Sequence, residues 1–121
     1  MKGKIEIPWS GARHLSKNVL YYGGNKRNGM TKEARTEIDG AALELRSKFY
    51  GYKWTDVRIK VNIFVFRPRT NIDAQNWVDA VSDLVELAIG VDDSNFDVTP
   101  FCVDDKNDPR VVIEVEQDES E

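Results

Sequence analysis

Three aspartates stand at the two ends of one helix-patterned segment in the second half of the chain. Asp73 precedes the segment, and Asp92 and Asp93 follow Gly90 at its end. If these carboxylates converge, each close pair costs roughly 1–4 kcal/mol of repulsion, which a bound divalent cation removes. Carboxylate oxygens are ligands that suit Mg²⁺, Mn²⁺ or Ca²⁺. Two simpler interpretations stay open, with Asp73 as a helix N-cap and Asp92-Asp93 as a solvated turn.

The scarcity of soft metal ligands narrows the choice of metal. The sequence has one His, His14, and one Cys, Cys102, which are too few for a zinc site of the usual Cys/His kind or for an internal disulfide. A lone cysteine fits a reducing cytoplasm, and the N-terminal residues lack the apolar core of a secretion signal. No apolar run approaches the ~20 residues that span a membrane. At 121 residues the chain is expected to form one domain, located in the cytoplasm.

The net charge of -4 conceals opposite charges in the two parts of the sequence. Residues 1–70 contain 15 Lys and Arg against 6 Asp and Glu, a net of +9. Residues 71–121 contain 2 against 15, a net of -13, and the acidic tail 118–121 is only part of that excess. A basic surface for a polyanion beside an acidic pocket for a cation is what a metal-dependent nuclease requires. Chance, together with a solvated tail, is the simpler explanation.

Basic and amide side chains supply the candidate DNA contacts. Lys and Arg bind phosphate groups, although each such residue alone is more often a solubilising charge. Asn76 either orients a carboxylate or caps the helix. The candidates are Arg13, Lys17, Lys26, Arg27, Arg67, Arg69 and Asn76.

Hydrophobic periodicity predicts the elements that position these residues, with alternation indicating strands and a spacing of three to four indicating helices. The predicted elements are a strand over 3–9, a basic Gly-rich loop with few core residues over 10–30, a helix from Thr31 to about Tyr50, a strand over 55–66, a helix from Ile72 or Ala74 to Ile89, and strands over 96–103 and 110–116 joined by a hairpin loop at 104–109. The sequence therefore predicts one small α+β domain over residues 1–117. Its order is β-α-β-α-β-β, with a mixed sheet packed against two helices.

Apolar stripes indicate which faces of these elements are buried. The stripes of the two helices are Ile38, Ala41, Ala42, Leu45 and Phe49, and Trp77, Ala80, Val81, Leu84 and Ala88. Phe64 and Phe66 lie on the outer face of the strand over 55–66. Aromatic residues on that face indicate that a helix or a second subunit covers this end of the strand.

The order of these residues resembles the RusA family of Holliday junction resolvases over nearly the whole chain. The similarity covers Ile7-Pro8-Trp9, the basic loop, Met30-Thr31-Lys32-Glu33-Ala34, and the strand that leads to Arg67 and Arg69. The family signature then matches at Asp73, Gln75, Asn76, Asp79, Asp83-Leu84 and Gly90-Val91-Asp92-Asp93.

This resemblance implies a RusA-like fold and a homodimer with two active sites, working in DNA recombination and repair. Each site would use carboxylates to hold Mg²⁺, or Mn²⁺ in its place, and would nick four-way DNA symmetrically to leave 5′-phosphate and 3′-hydroxyl ends. Asp73 and Asp93 would be the metal ligands, with Asp92 as a further ligand or a positioning neighbour. A phage or prophage source also fits this family.

Two positions depart from the family signature. Gln75 replaces the second Asp and Asp79 replaces a basic residue, so metal affinity is expected to fall and a stabilising charge at the transition state is lost. Because Gln75 and Asp79 are four residues apart on the predicted helix, Asp79 is hypothesised to supply the missing carboxylate. Asp73, Gln75, Asp79, Asp92 and Asp93 are thus the candidate catalytic residues.

Three alternatives to an intact nuclease site stay open. Asp79 could be an ordinary solvated helix residue. The whole protein could bind branched DNA without cutting it, because Gln75 and Asp79 weaken the site. A third alternative is a protein-interaction domain whose charge asymmetry is incidental.

Overall fold

The computed structural model describes residues 1–55 and 58–117, in which four strands and three α-helices form one small α+β domain. The strands are β1 (Lys2–Pro8), β2 (Ile59–Arg67), β3 (Phe96–Asp104) and β4 (Arg110–Glu116). The α-helices are α1 (Trp9–Ala12), α2 (Lys32–Lys48) and α3 (Val78–Ile89). The predicted α+β class is confirmed, with α1 in addition to the two predicted helices, and the tail 118–121 lies outside the described residues. None of the described helices is long and apolar enough to cross a membrane.

The sheet is mixed, and its strand order is β1-β4-β2-β3. β4 is antiparallel to both β1 and β2, whereas β2 and β3 are parallel. The predicted hairpin at 104–109 is therefore wrong, because β2 separates β3 from β4. β3 suits an edge position, since Pro100 has no N–H to donate to a further strand. The connection passes the end of β2, where the Asp105 N–H donates to the Arg67 carbonyl at 3.0 Å.

β2 forms the centre of the core. Its alternate side chains Ile59, Val61, Ile63 and Val65 are fully buried, as the alternating pattern predicts. Burying one such side chain stabilises the fold by about 1.5–3 kcal/mol. β2 starts at Ile59 rather than at 55, and Val57 of the predicted strand lies outside the described residues.

α2 begins at the predicted cap. The Thr31 hydroxyl accepts a hydrogen bond from the Ala34 N–H at 3.1 Å, which satisfies one of the free amides of the first turn. The whole predicted stripe from Ile38 to Phe49 is buried. The helix ends at Lys48, slightly before the predicted Tyr50, and Gly51 follows with a φ of 80°.

Residues 10–30 are the main correction to the predicted fold. They were predicted to be a loop with few core residues, but Ala12, Leu15 and Leu20 are fully buried. The segment contains α1 and three short 3-10 turns, Arg13–Leu15, Tyr22–Gly24 and Lys26–Asn28. A few well-spaced apolar residues are enough to anchor a polar segment, and its high content of Gly, Asn and Lys obscures them.

The face of the sheet opposite the buried stripe of β2 carries an aromatic patch. Phe64 of β2 stacks on Phe101 of β3 with ring centroids 4.9 Å apart and an interplanar angle of 11°. The Arg110 guanidinium lies 3.8 Å from the centre of the Phe66 ring. Phe101 and Val103 remain 42% and 38% exposed, so the described part of the chain leaves this patch open to solvent.

Candidate active site

Asp73 begins the turn that joins β2 to α3. Its carboxylate accepts a hydrogen bond from the Gln75 N–H at 3.0 Å, so the capping interpretation is confirmed. The capped element is the 3-10 turn Ala74–Trp77, and α3 starts only at Val78. The single helix predicted from residue 72 or 74 to Ile89 is therefore wrong in its first turn. Gln75 and Asp79 thus do not lie on the one continuous α-helix that the sequence predicts.

Trp77 connects this turn to the N-terminal segment. The indole is 2% exposed, and its Nε1–H donates to the Ala12 carbonyl at 2.8 Å, which confirms its predicted place in the core. The Lys17 N–H donates to the Asn76 carbonyl at 2.8 Å. These two bonds hold the basic segment 10–30 against the start of α3.

Asp92 and Asp93 follow α3 in a second turn. Gly90 ends the helix in the left-handed conformation, with a φ of 71°, which glycine adopts without strain. The Asp92 carboxylate accepts a hydrogen bond from the Ser94 N–H at 2.8 Å, and hydrogen bonding to Ser94 lowers the pKa of Asp92. The Asp93 N–H donates to the Glu86 carboxylate at 3.2 Å, which orients the turn relative to α3.

Three aspartates line one surface cavity of about 550 Å³, which is called the acidic cavity below. Asp79 and Asp83 lie four residues apart on α3 and therefore on the same face of the helix. Asp93 lines the same cavity from the turn after α3. Lys17 and Lys26, both from the basic segment, also line it. A negative site for a cation and positive groups for an anion thus share one space.

Asp83 lines the acidic cavity but is not among the residues that the sequence predicts to be catalytic. Partial burial raises the pKa of its carboxyl group, and the charges of Asp93 and Glu86 raise it further, whereas Lys26 opposes the shift. The helical spacing from Asp79 is the sequence signal that could have found Asp83. Asp83 matches the family signature, but the signature alone does not indicate a role for it.

The other candidate carboxylates do not line the acidic cavity. Asp73 lies near the Arg67 guanidinium, whose pKa the Asp73 charge helps to raise after the larger effect of Asp104. Asp92 lines a neighbouring cavity of about 540 Å³ that shares Asp83 with the acidic cavity. Within residues 1–55 and 58–117, no group of three or more His, Cys, Asp and Glu side chains is arranged so that it could hold a metal ion.

The donors of the acidic cavity fit Mg²⁺ if water and substrate complete its coordination. The available ligands are carboxylate oxygens and the Ser82 hydroxyl, all of them hard donors. Mg²⁺ is often bound by one or two carboxylates, with water and substrate phosphate as its other ligands. Burial is the largest cause of the raised pKa of Asp83, and the charges of Asp93, Glu86 and Asp79 add repulsion that a bound cation would relieve.

Arg13, Arg69 and Asn76 line a second cavity of about 490 Å³, called the arginine cavity below. Neither arginine forms an ion pair with any of the residues that the structure describes, unlike Arg58, Arg67 and Arg110, which all do. Asn18 lines both cavities, so the acidic cavity and the arginine cavity adjoin. Three predicted DNA contacts therefore come together beside the carboxylates.

Two other predicted DNA contacts are placed differently. Arg67 pairs with Asp104, and its guanidinium also donates to the Ile72 carbonyl at 2.6 Å. Its role in this structure is to hold the turn before Asp73. Arg27 is exposed in the turn Lys26–Asn28 and lies outside the lining of both cavities.

The geometry of these two cavities is the basis for assigning a function. No protein-family model and no curated protein matches the sequence. The resemblance to the RusA family therefore stays a prediction from the sequence motifs.

Replacing Asp83 by Asn is expected to stabilise the protein at pH 7 in the absence of metal. The raised pKa means that the folded state disfavours ionised Asp83, so its contribution to stability is greatest below the usual Asp pKa of 3.8 and is lost as the pH rises through the folded-state value. Solvent screening limits the gain to below about 1 kcal/mol. Thermal melts of both proteins in EDTA at pH 7 and near pH 4 measure it. A gain that does not shrink at the lower pH contradicts this account of Asp83.

Proposed function

We propose that this protein is a metal-dependent endonuclease that cuts four-way DNA junctions by paired symmetric nicks. One observation carries the proposal: Asp79, Asp83 and Asp93 line a cavity that they share with Lys17 and Lys26. The adjoining arginine cavity adds two guanidinium groups with no ion-pair partner in the described chain. A phosphodiester backbone in these adjoining cavities would have both cationic side chains and carboxylates close to it.

Asp93, with Asp79 as the second carboxylate, would hold Mg²⁺ in the acidic cavity, and water and substrate phosphate would complete its coordination. When bound, Mg²⁺ makes water a stronger nucleophile and neutralises charge on the reacting phosphate. The chain itself places the three carboxylates around one cavity, and the hydrogen bond from the Asp93 N–H to the Glu86 carboxylate fixes the turn that carries one of them. Lys17 and Lys26 reduce the repulsion between these carboxylates and an incoming phosphate. Asp73 stays a predicted ligand on resemblance alone, because in this structure its carboxylate caps the turn.

The exposed positive side chains of the two cavities predict that binding to DNA depends on salt concentration. Arg13, Arg69 and Lys17 are exposed, so their pairing with phosphate releases counterions rather than breaking contacts within the chain. Affinity for a four-way junction in EDTA should fall by ~0.9 log units per log unit of salt for each phosphate contact on duplex arms. An affinity that does not vary between low and moderate salt argues against a nucleic-acid substrate.

Asp79 is proposed to replace the carboxylate that the family has at the position of Gln75. It lines the acidic cavity with Asp93, whereas Gln75 is exposed on the preceding turn. Asp79→Ala is expected to raise the Mg²⁺ concentration for half-maximal cutting by about tenfold, a typical cost for disturbing a metal site. Asp39→Ala, which removes an exposed carboxylate from α2, is the matched control. If the two variants titrate alike with Mg²⁺, Asp79 is an ordinary solvated residue.

We further propose that the protein acts as a homodimer through the aromatic patch of Phe64, Phe66, Phe101 and Val103. Two symmetric nicks require two sites, and in this patch stacked aromatic rings and an aliphatic side chain lie together on one face of the sheet and remain partly exposed. Phe101→Lys should raise the dimer dissociation constant at least about tenfold, because it places an unpaired charge in the interface. Tyr50→Lys, at an aromatic residue that is 93% exposed beyond α2, is the control. Equal sedimentation of the two variants over a concentration series contradicts this interface.

A junction-binding protein without nuclease activity is the second candidate. Two observations favour it. Among the described residues, no group of three or more His, Cys, Asp and Glu side chains could hold a metal ion, and Gln75 stands where the family signature has an aspartate. A gel assay with a labelled four-way junction separates the candidates. Metal-dependent nicks support the endonuclease, whereas binding that persists without any cutting in Mg²⁺ or Mn²⁺ supports the second candidate.

A further inference from the structure

We infer that the arginine cavity receives one unstacked nucleotide from the branch point of the junction. This inference rests on the proposed function and goes beyond it, because it names the part of the substrate that occupies this cavity. The volume of about 490 Å³ lies in the range of small-molecule sites and suits a single nucleotide rather than a duplex arm.

The walls of the cavity offer the two kinds of surface that a nucleotide needs. Trp9 is half-buried, with its ring centroid 5.6 Å from that of the buried Trp77, so the indole packs against a residue of the core, and both rings line the cavity. Val19 also lines the cavity and is 48% exposed. An aromatic and aliphatic wall of this kind accepts the face of any nucleobase.

The polar rim matches the rest of a nucleotide. Arg13 and Arg69 have no ion-pair partner among residues 1–55 and 58–117, so they are available to a phosphate. Asn71 and Asn76 lie on the same rim, and amide side chains bind the donor and acceptor edges of bases. The Watson–Crick edge of a base is free for such contacts only when the base is unpaired, and a cavity of this volume has no room for a base pair, which favours an unstacked nucleotide over a paired one.

The position of the cavity explains why the nucleotide would come from the branch point. The arginine cavity adjoins the acidic cavity at Asn18, so its occupant lies close to the proposed site of cutting. Removing a base from the stack costs a few kcal/mol, and the cost is smallest where pairing is already disturbed. A branch point is such a place, whereas the middle of an arm is not.

The test measures binding in EDTA to junctions that lack a single base. Removing one base next to the branch point, at each such position in turn, should weaken binding about tenfold at one or more positions, the size of one base–aromatic contact. Removing a base in the middle of an arm should change nothing. In Trp9→Leu the penalty for the branch-point base should disappear. Equal binding of every branch-point junction and the intact junction overturns the inference, and so does a penalty that persists in Trp9→Leu.

A second variant keeps the test independent of Trp9, which contributes to packing. Arg69→Ala should weaken binding to the intact junction several-fold more than Lys60→Ala, which removes one positive charge from β2 outside the cavity. Equal losses in the two variants contradict a specific phosphate contact at Arg69. If the intact junction binds tightly but these differences are absent, only the nucleotide inference fails. If the intact junction does not bind at all, the proposed function fails with it.

Discussion

Replacing Asp93 by Asn is expected to abolish metal-dependent cutting while binding to the junction stays unchanged or becomes tighter. The resemblance to the RusA family implies that Asp93 is a metal ligand, and Asp93 lines the acidic cavity. Loss of a metal ligand removes several kcal/mol of transition-state stabilisation, so the rate should fall at least about 1,000-fold. Binding persists because the substitution removes a negative charge close to where phosphate would lie. Single-turnover cutting with Mg²⁺ and gel-shift binding in EDTA measure the two effects separately.

Asp39→Asn is the matched control for this experiment. It makes the same chemical change at an exposed position on α2 and should cut at the wild-type rate. A second comparison uses thermal melts, in which Mg²⁺ should stabilise the wild type more than Asp93→Asn, because the metal binds only the folded site. Cutting by Asp93→Asn at the rate of the control would show that the site is misplaced.

Replacing Trp77 by Ala is expected to lower the free energy of unfolding by about 3–5 kcal/mol, a large part of the stability of a domain this size. The indole is 2% exposed, and its removal leaves a cavity between the start of α3 and the N-terminal segment. It also removes the donor to the buried Ala12 carbonyl. Urea denaturation of the two proteins, followed by far-ultraviolet circular dichroism, gives the difference.

Trp77→Phe separates packing from hydrogen bonding. It keeps most of the ring volume and should lose about 1–3 kcal/mol, mainly from the carbonyl left without a donor. A loss in Trp77→Ala no greater than in Trp77→Phe contradicts the packing role. Since Trp77 connects the basic segment to the start of α3, Trp77→Ala should also weaken junction binding under conditions in which the variant is still folded.

The elements with a regular pattern could be predicted from the sequence, because local periodicity reports directly on a buried face. The stripe from Ile38 to Phe49 and the alternation from Ile59 to Val65 are both buried as predicted. Local sequence does not determine which strands lie next to each other in the sheet. The turn-rich residues 104–109 favour a hairpin, yet β2 lies between β3 and β4, since strand order depends on how the whole sheet fits its helices.

The candidate site was predictable to a similar degree. Asp93 and Asp79 were identified from their place in the signature, and both line the acidic cavity. Asp83 was passed over because a motif gives residues without their burial or charge neighbours. The resemblance places Asp73 beside Asp93, but in this structure the Asp73 carboxylate accepts a hydrogen bond from the Gln75 N–H of the following 3-10 turn. A pattern that predicts helix does not distinguish a 3-10 first turn from an α-helical one.

The basic segment shows why side-chain contacts were the hardest feature to foresee. Arg13 and Arg69 are far apart in sequence, and nothing in their spacing predicts that they share a cavity. Arg67, only two residues from Arg69, is instead held by Asp104. Arg67 is paired because the parallel register of β2 and β3 places Asp104 next to it.

We propose above all that the protein cuts branched DNA at the acidic cavity with the help of a divalent metal. The most direct measurement incubates the wild-type protein with a four-way junction labelled on each strand in turn, first in EDTA and then in Mg²⁺ or Mn²⁺. The account predicts binding in EDTA, and paired nicks at symmetric positions in opposing strands once metal is added. Binding with no cut in either metal, or no binding at all, would contradict it.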